Sequence, residues 1–275
     1  MLEQAKYVNH LGEVVEFGKN GILANENDLR NYAWLFDTGR RMAENFHKGV
    51  VPKTIPVVIV ANSREERAAI KNTMYEVFEK DVAANKQGKL YIGDFYLECK
   101  IYGSDVSNYL NTDNTMNASL KLVSDTGDWY RNIMTPYKYA EQEVDASGHG
   151  YPYGYNYDYT ASGGYTNTIT NEYFDSGDFI MTIHGYAMNP EINIAGHSHK
   201  MNCTVQKNEK LIINSIDKTI KLIKANEIEV NMFSKRDRSS NIFEKIPSGT
   251  SSIYWNGDFD IDLEIRVERG EPLWM

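Results

Sequence analysis

The histidines are the side chains whose type and spacing come nearest to a metal site. His197 and His199 form an H-S-H sequence, and His184 precedes them. Positions two apart on a strand point to the same side, so two imidazoles could share an ion, and Cys203 could approach as a further ligand. No acidic residue lies close to the pair in sequence. We therefore predict no metal and no cofactor, and interpret these histidines as solvent-facing or hydrogen-bonded strand residues.

Carboxylates near the C-terminus form a second set that could do chemistry. A glycosidase acid and base could come from four residues at alternate positions: Asp258, Asp260, Asp262 and Glu264. The positions between them are apolar, which is the period-two pattern of a strand with one buried face. We interpret the carboxylates as the solvent face of that strand. The sequence S-G-T at 248–250 also lacks the G-x-S-x-G of a nucleophile elbow, so we predict no catalytic residue and no enzyme.

Residues 145–165 are rich in Tyr, Gly, Ser and Asp and have almost no aliphatic side chains. One interpretation is a long ordered loop or edge segment whose rings lie over the β-sandwich. The other is an aromatic strip that binds a sugar or a peptide. The candidate ligand or partner strip consists of Tyr151, Tyr153, Tyr155, Tyr157 and Tyr159.

The composition bounds the class of protein. The 275 residues are 41% hydrophobic and 24% charged, which allows two domains with cores of their own. A net charge of -9 argues against specific nucleic acid and against an anionic membrane surface as partners. The two cysteines, Cys99 and Cys203, favour reduced folding in a cytoplasm. Without a secretory signal or a long apolar segment, we expect a soluble intracellular chain.

Local patterns indicate where the chain is helical and where it is extended. Ser63 and Glu66 form a capping box ahead of a helix predicted over 63–82. A Gly-Asp pair at 93–94 between two alternating runs predicts a hairpin. The pattern breaks around 125–136, where we place a boundary between an α+β domain of residues 1–130 and a β-sandwich of residues 131–275.

Five segments occur in an order that resembles one protein family. The segments are 181–190, 208–220, 226–233, 242–255 and 268–274. Gly185, Asn189-Pro190, the I-P-S-G turn at 246–249 and Trp255 match the family pattern of the distal tail proteins of long-tailed siphophages and prophages. Asn208 and Glu227 depart from it, because the family often has Gly at the first position and its hairpin prefers Gly at the second.

The resemblance implies a mainly β fold. The N-terminal domain would be a ring-forming, split-barrel-like domain with one helix, and the C-terminal domain a galectin-like or jelly-roll β-sandwich. Such proteins form a ring, usually of six copies, that links the tail tube protein to the tail-tip or baseplate protein. The outward domain can dock a receptor-binding protein. The expected location is the virion tail tip, after synthesis in the cytoplasm of the bacterial host.

Two other functions stay open at this point. One is a carbohydrate-binding β-sandwich that stacks sugars on the tyrosines of residues 145–165. The other is a hydrolase that uses the acidic strand or the histidines.

Overall fold

The structure is a computed structural model that describes residues 5–24, 27–108, 114–139 and 167–273. The chain is mostly β-strand, and the described residues contain one α-helix. This confirms the mainly β fold class. None of the described helical residues belongs to a helix with the length and apolarity that a membrane crossing requires.

The chain folds into two compact units. The first contains Met1–Arg131 together with Glu268–Met275, and the second contains Asn132–Val267. The sequence boundary of 1–130 and 131–275 assigns every residue from 131 onward to the C-terminal domain. The last residues of the chain therefore lie in a different unit from the one that the sequence indicated.

The first unit has ten strands among its described residues, the last of which continues into the second unit. They are β1 Ala5–Val8, β2 Val14–Phe17, β3 Ile22–Ala24, β4 Leu35–Thr38, β5 Ala43–His47, β6 Val51–Val60, β7 Gly88–Ile92, β8 Phe95–Ser107, β9 Thr115–Ser124 and β10 Trp129–Tyr137. Seven of them are joined by antiparallel pairing in the order β2-β1-β7-β8-β9-β6-β3. Strand β8 pairs with β7 through its first residues and with β9 through its last, with a register shift between Ile101 and Gly103. The two end strands, β2 and β3, are consecutive in the chain.

The helix of the first unit, α1, spans Arg64–Ala83 and begins where the capping box predicted. The Glu66 N–H donates to the Ser63 hydroxyl at 3.1 Å. The Glu66 carboxylate accepts the N–H of Asn62 at 2.7 Å, one residue before the N-cap. Met74, Val77 and Phe78 recur at helical spacing and are buried in the core of the unit.

A buried polar cluster fixes the end of α1 to strand β1. The Tyr7 hydroxyl donates to the Asp81 carboxylate at 2.5 Å, and the backbone N–H of His10 donates to the same carboxylate at 2.9 Å. Burial, and then the bond to Asp81, raise the pKa of Tyr7, so its hydroxyl keeps its proton. A Cβ on Gly88 would collide with both side chains, so the start of β7 requires glycine.

The second unit contains β10 from Asn132 onward, the 3-10 helix Phe233–Lys235 and further strands. Those strands are β11 Asn167–Asn171, β12 Asp178–His184, β13 Ala187–Met188, β14 Glu191–Ile194, β15 His197–Lys200, β16 Thr204–Val205, β17 Lys210–Asn214, β18 Thr219–Ile223, β19 Glu229–Asn231, β20 Gly249–Trp255 and β21 Asp260–Arg269, of which the last two residues belong to the first unit.

Two antiparallel sheets of the second unit share one hydrophobic core. One sheet contains β19-β18-β17-β12-β21 and the other contains β11-β20-β14-β15. The core takes Phe179, Ile183 and Leu263 from the first sheet and Ile192 and Ile253 from the second. This arrangement is a β-sandwich, as expected.

Candidate assembly interface

The structure places the predicted histidines in two separate positions. On β15, His197 and His199 have ring centroids 5.0 Å apart. Their ring N–H groups donate to backbone carbonyls, His197 to Asn241 at 2.8 Å and His199 to Ile242 at 2.9 Å. On β12, His184 bonds the Asp262 carboxylate at 2.8 Å instead. Within the described ranges, no three His, Cys, Asp or Glu side chains gather as a metal site would require.

Burial makes His199 a neutral residue. Its side chain is almost fully covered, and desolvation lowers its pKa to about 4. The Phe179 ring packs against it edge-on at 5.3 Å between centroids. This histidine is therefore part of the core, and the hydrogen bond to a carbonyl satisfies its donor.

The carboxylates of the C-terminal strand lie on its solvent side. Asp260, Asp262 and Glu264 alternate along β21 with Ile261, Leu263 and other buried apolar residues. The Asp260 carboxylate accepts the backbone N–H of Tyr139 at 2.8 Å. The period-two interpretation of this segment is confirmed. Strand β21 also lies between β12 and β10 in its sheet, so it is an interior strand.

The aromatic strip of Tyr151, Tyr153, Tyr155, Tyr157 and Tyr159 lies outside the described residues. Its role as a ligand or partner strip stays a prediction.

The surface most suited to a function is a hairpin of the first unit. Among the strands that the structure describes, β4 and β5 pair only with each other, and every residue in both is exposed. We call residues 32–50, which contain this hairpin, the apolar arm. Its exposed large apolar side chains are Tyr32, Trp34, Leu35, Phe36, Met42, Phe46 and Val50. Exposed apolar side chains at this density mark a surface that a partner covers.

The apolar arm holds its shape through local contacts. The rings of Phe36 and Phe46 lie 5.7 Å apart across the two strands. Asn45 takes a positive φ of 54°, and the register shifts between Leu35 and Asp37. The Asn45 amide donates to the Asp37 carboxylate at 3.1 Å. A two-stranded hairpin is marginally stable alone, so these contacts require support at the base of the arm.

Lys48 provides part of that support. Its ammonium pairs with the buried Asp128 carboxylate and with Glu268 at 3.3 Å, and it lies 4.7 Å from the centroid of the Trp34 ring. Burial raises the pKa of Asp128, while the bond from Lys48 opposes the rise. Lys48 thereby joins the base of the arm to the connection between β9 and β10, which contains Asp128, and to the C-terminal segment, which contains Glu268.

The loop that leads into the arm, residues 27–31, is also held by hydrogen bonds from long cationic side chains to backbone carbonyls. Lys53 is buried, and its ammonium donates to the carbonyls of Asp28 and Asn31 at 3.1 and 2.5 Å. Burial lowers the pKa of this lysine. On the other side of the loop, the Arg30 guanidinium donates to the Leu273 carbonyl at 2.9 Å. The arm therefore projects from an ordered base.

The exposure of the apolar arm is not evident from the sequence. Tyr32, Trp34 and Phe36 stand at alternate positions and predict one face of a strand over 29–36. The same alternation is typical of a strand with a buried face, so it does not indicate that these rings are exposed.

Similarity to solved structures covers nearly the whole chain. The SPP1 Dit protein (gp 19.1), described as a paradigm of the hub adsorption apparatus in phages that infect Gram-positive hosts, matches with a TM-score of 0.62 and 7% identity. The match covers 97% of this chain and 99% of that one. A chain of the phage P2 baseplate, in its activated conformation with Ca, matches with a TM-score of 0.65 and 13% identity over 99% and 100% of the two chains. The same baseplate with Sr gives 0.64 and 12% over the same shares.

No family model matches the sequence, and no curated protein matches it. At these identities the structural matches establish a shared fold. That fold is the one that the resemblance to distal tail proteins implied.

Proposed function

We propose that this protein is a structural component of a phage or prophage tail, a hub that closes into a ring at the distal end of the tail tube. The observation that carries the proposal is the apolar arm, an ordered hairpin whose large apolar side chains are exposed. It occurs in a chain with the fold of a phage hub protein and of a baseplate chain. Burial of such a surface by a neighbouring copy would provide the free energy of assembly.

The ring has a physical basis in the position of the arm. An arm that contacts a different surface on the next copy makes a head-to-tail interface, and such interfaces close into rings when the rotation permits. Six copies is the number that the resemblance to distal tail proteins implies. We assign ring formation to the first unit, which carries the arm, and partner docking to the second. Its partners would be the tail tube protein, the tail-tip protein and a receptor-binding protein.

The proposed role is non-enzymatic and requires no cofactor. The histidines of β15 use their ring N–H groups on backbone carbonyls, which supports a structural role for them. The carboxylates of β21 alternate with buried apolar residues and lie on the solvent side of the strand, which supports a structural role for the acidic strand as well. We place the assembled protein at the virion tail tip, after synthesis in the host cytoplasm.

Substitution of the exposed rings tests the proposal. We expect the wild-type protein to form ring-shaped particles in negative-stain micrographs and oligomers in mass photometry. The double variant Phe36→Ser with Phe46→Ser should stay monomeric. Because both rings are already exposed in the isolated chain, the melting temperature of the double variant should change little.

Tyr75→Ser is the matched control, because Tyr75 is an exposed aromatic residue of α1. It should assemble as the wild type does. A double arm variant that assembles normally would contradict the proposal. So would a wild-type protein that stays monomeric at high concentration when its tail tube protein is also supplied.

A further inference from the structure

The C-terminal segment, residues 268–273, contacts the chain at both ends of the apolar arm. Arg30 lies just before the arm, and its guanidinium donates to the carbonyls of the last two residues of the segment at 3.3 and 2.9 Å. Near the other end of the arm, the Lys48 ammonium lies 3.3 Å from the Glu268 carboxylate. The segment therefore connects the two ends of the arm at its base.

A third contact is the close approach of Gly270 to Tyr32, the first residue of the arm. A Cβ atom placed on Gly270 would lie 3.3 to 3.5 Å from three carbon atoms of the Tyr32 side chain. Contacts this short leave little room, so a side chain at position 270 would displace the tyrosine. Glycine thus allows the backbone of the C-terminal segment to lie directly against the arm.

Features of the C-terminal segment itself restrict its conformation. The Nε–H of Arg269 donates to the carbonyl of Glu271 at 3.2 Å, which closes a turn around Gly270. The ring of Pro272 fixes the φ angle at the next position, and this proline is buried. These residues belong to the last of the five sequence segments named above, 268–274. Their contacts with the arm give that segment a structural role in the first unit.

The direction of the apolar arm depends on contacts of this kind at its base. Every residue of β4 and β5 is exposed, so core packing does not orient the hairpin. Lys48 also pairs with the buried Asp128 carboxylate and lies 4.7 Å from the centroid of the Trp34 ring. A two-stranded hairpin is marginally stable without such support. Release of the C-terminal segment would therefore let the arm move while the core of the unit stays folded.

We propose that the C-terminal segment is a strap that holds the apolar arm in the orientation required for assembly. While the strap is docked against Arg30, Tyr32 and Lys48, the exposed apolar side chains of the arm keep one direction. A neighbouring copy then binds them without the entropic cost of ordering the arm. When the strap is released, that cost falls on the contact between copies, and assembly weakens. The inference rests on the proposed function, and it adds an intramolecular contact that controls ring formation.

Arg30→Met tests the strap, because it keeps an aliphatic stem and removes the hydrogen bonds to the C-terminal segment. The concentration at which half of the protein is assembled should rise about tenfold in mass photometry, since hydrogen bonds from a charged group are lost. Arg236→Met is the matched control. The guanidinium of Arg236 also donates to a backbone carbonyl at 2.9 Å, but it lies in the second unit. This control should assemble as the wild type does.

A disulfide between strap and arm distinguishes a loss of orientation from a loss of fold. Tyr32→Cys and Gly270→Cys in the same chain place two Cβ atoms 3.5 Å apart, a separation that a disulfide spans. In a chain that also carries Arg30→Met, the oxidised form should assemble about tenfold more readily than the reduced form. Circular dichroism checks that both forms are folded at the temperature of the measurement. Wild-type assembly should not depend on the redox state, because Cys99 is buried and Cys203 is half-buried.

The outcomes separate this inference from the proposed function. Normal assembly of a folded Arg30→Met protein would overturn the inference, and so would equal assembly of the oxidised and reduced forms. In both cases the rings of the wild type leave the proposed function standing. A wild-type protein that never assembles, even with its tail tube protein supplied, would contradict both.

Discussion

At the scale of single residues, burial decides which of the candidate chemical groups can react. His199 lies in the sandwich core, and desolvation lowers its pKa to about 4. His197, two positions away, donates to a neighbouring carbonyl from a partly exposed position. The same residue type at the same strand spacing therefore has two different environments.

His199 should make the protein less stable as the pH falls. An unfolded histidine titrates near 6.5, so between pH 6.5 and pH 4 the unfolded state binds a proton that the folded state does not. The contribution of this residue is fully present above pH 6.5 and is lost toward pH 4, by up to about 3 kcal/mol. Urea unfolding at a series of pH values measures this loss.

His199→Asn keeps a donor near the Ile242 carbonyl and removes the titration, so its stability should vary less across that window. His47→Gln is the control and should keep the wild-type slope, because His47 is exposed in the first unit, whereas His197 itself helps to lower the pKa of His199. An unchanged slope in His199→Asn would assign the pH dependence to other groups.

At the scale of elements, the apolar arm depends on its base. Strands β4 and β5 bury none of their residues, so little core packing fixes the direction of the arm. Lys48 connects the arm to Asp128 and Glu268, and Lys53 satisfies two carbonyls of the loop that enters it. We infer that these two lysines hold the arm in position for assembly.

Lys48→Met should destabilise the first unit by about 2–3 kcal/mol, because the buried Asp128 carboxylate loses its cation. Asp128→Asn in the same chain should recover most of that loss, since the amide carries no charge. Denaturant unfolding of the single and double variants measures both effects. Lys80→Met is the control, because Lys80 and its partner Glu13 are both well exposed. A Lys80→Met loss as large as that of Lys48→Met would contradict this account.

At the scale of the whole molecule, the first unit is built from two distant segments of the chain. Residues from Glu268 onward return to it, and Arg30 and Lys48 both bond to that segment. The second unit is contained between these two segments. Its β-sandwich core forms within one continuous stretch.

A fragment of residues 1–131 should therefore be less stable than the first unit of the full chain, because it lacks the C-terminal segment that bonds to Arg30 and Lys48. Joining residues 268–273 to it through a Gly-Ser linker should raise its melting temperature, because Lys48 and Arg30 regain partners. The control carries the same linker with the last six residues in scrambled order. Equal melting temperatures for the two linked fragments would indicate that the returning segment does not stabilise the first unit.

The sequence by itself determined the elements whose signals are local. The alternation along β21, the capping box of α1 and the Gly-Asp turn between β7 and β8 each depend on residues a few positions apart, and all three occur in the structure. The mainly β fold class follows from the same kind of pattern. The break in pattern around 125–136 gave the expectation of an α+β domain followed by a β-sandwich, and the resemblance added that they would be split-barrel-like and galectin-like or jelly-roll.

Only the tertiary structure decided how exposed each element is and which unit it joins. The apolar arm and β21 both contain strands with large apolar residues. The strands of the arm are fully exposed, whereas β21 lies inside a sheet and buries its apolar residues. Arg30 and Leu273 are 243 positions apart, and no local pattern records that contact. The physical reason is that burial and pairing depend on partners brought together by folding, whereas strand and helix periodicity depends on neighbours along the chain.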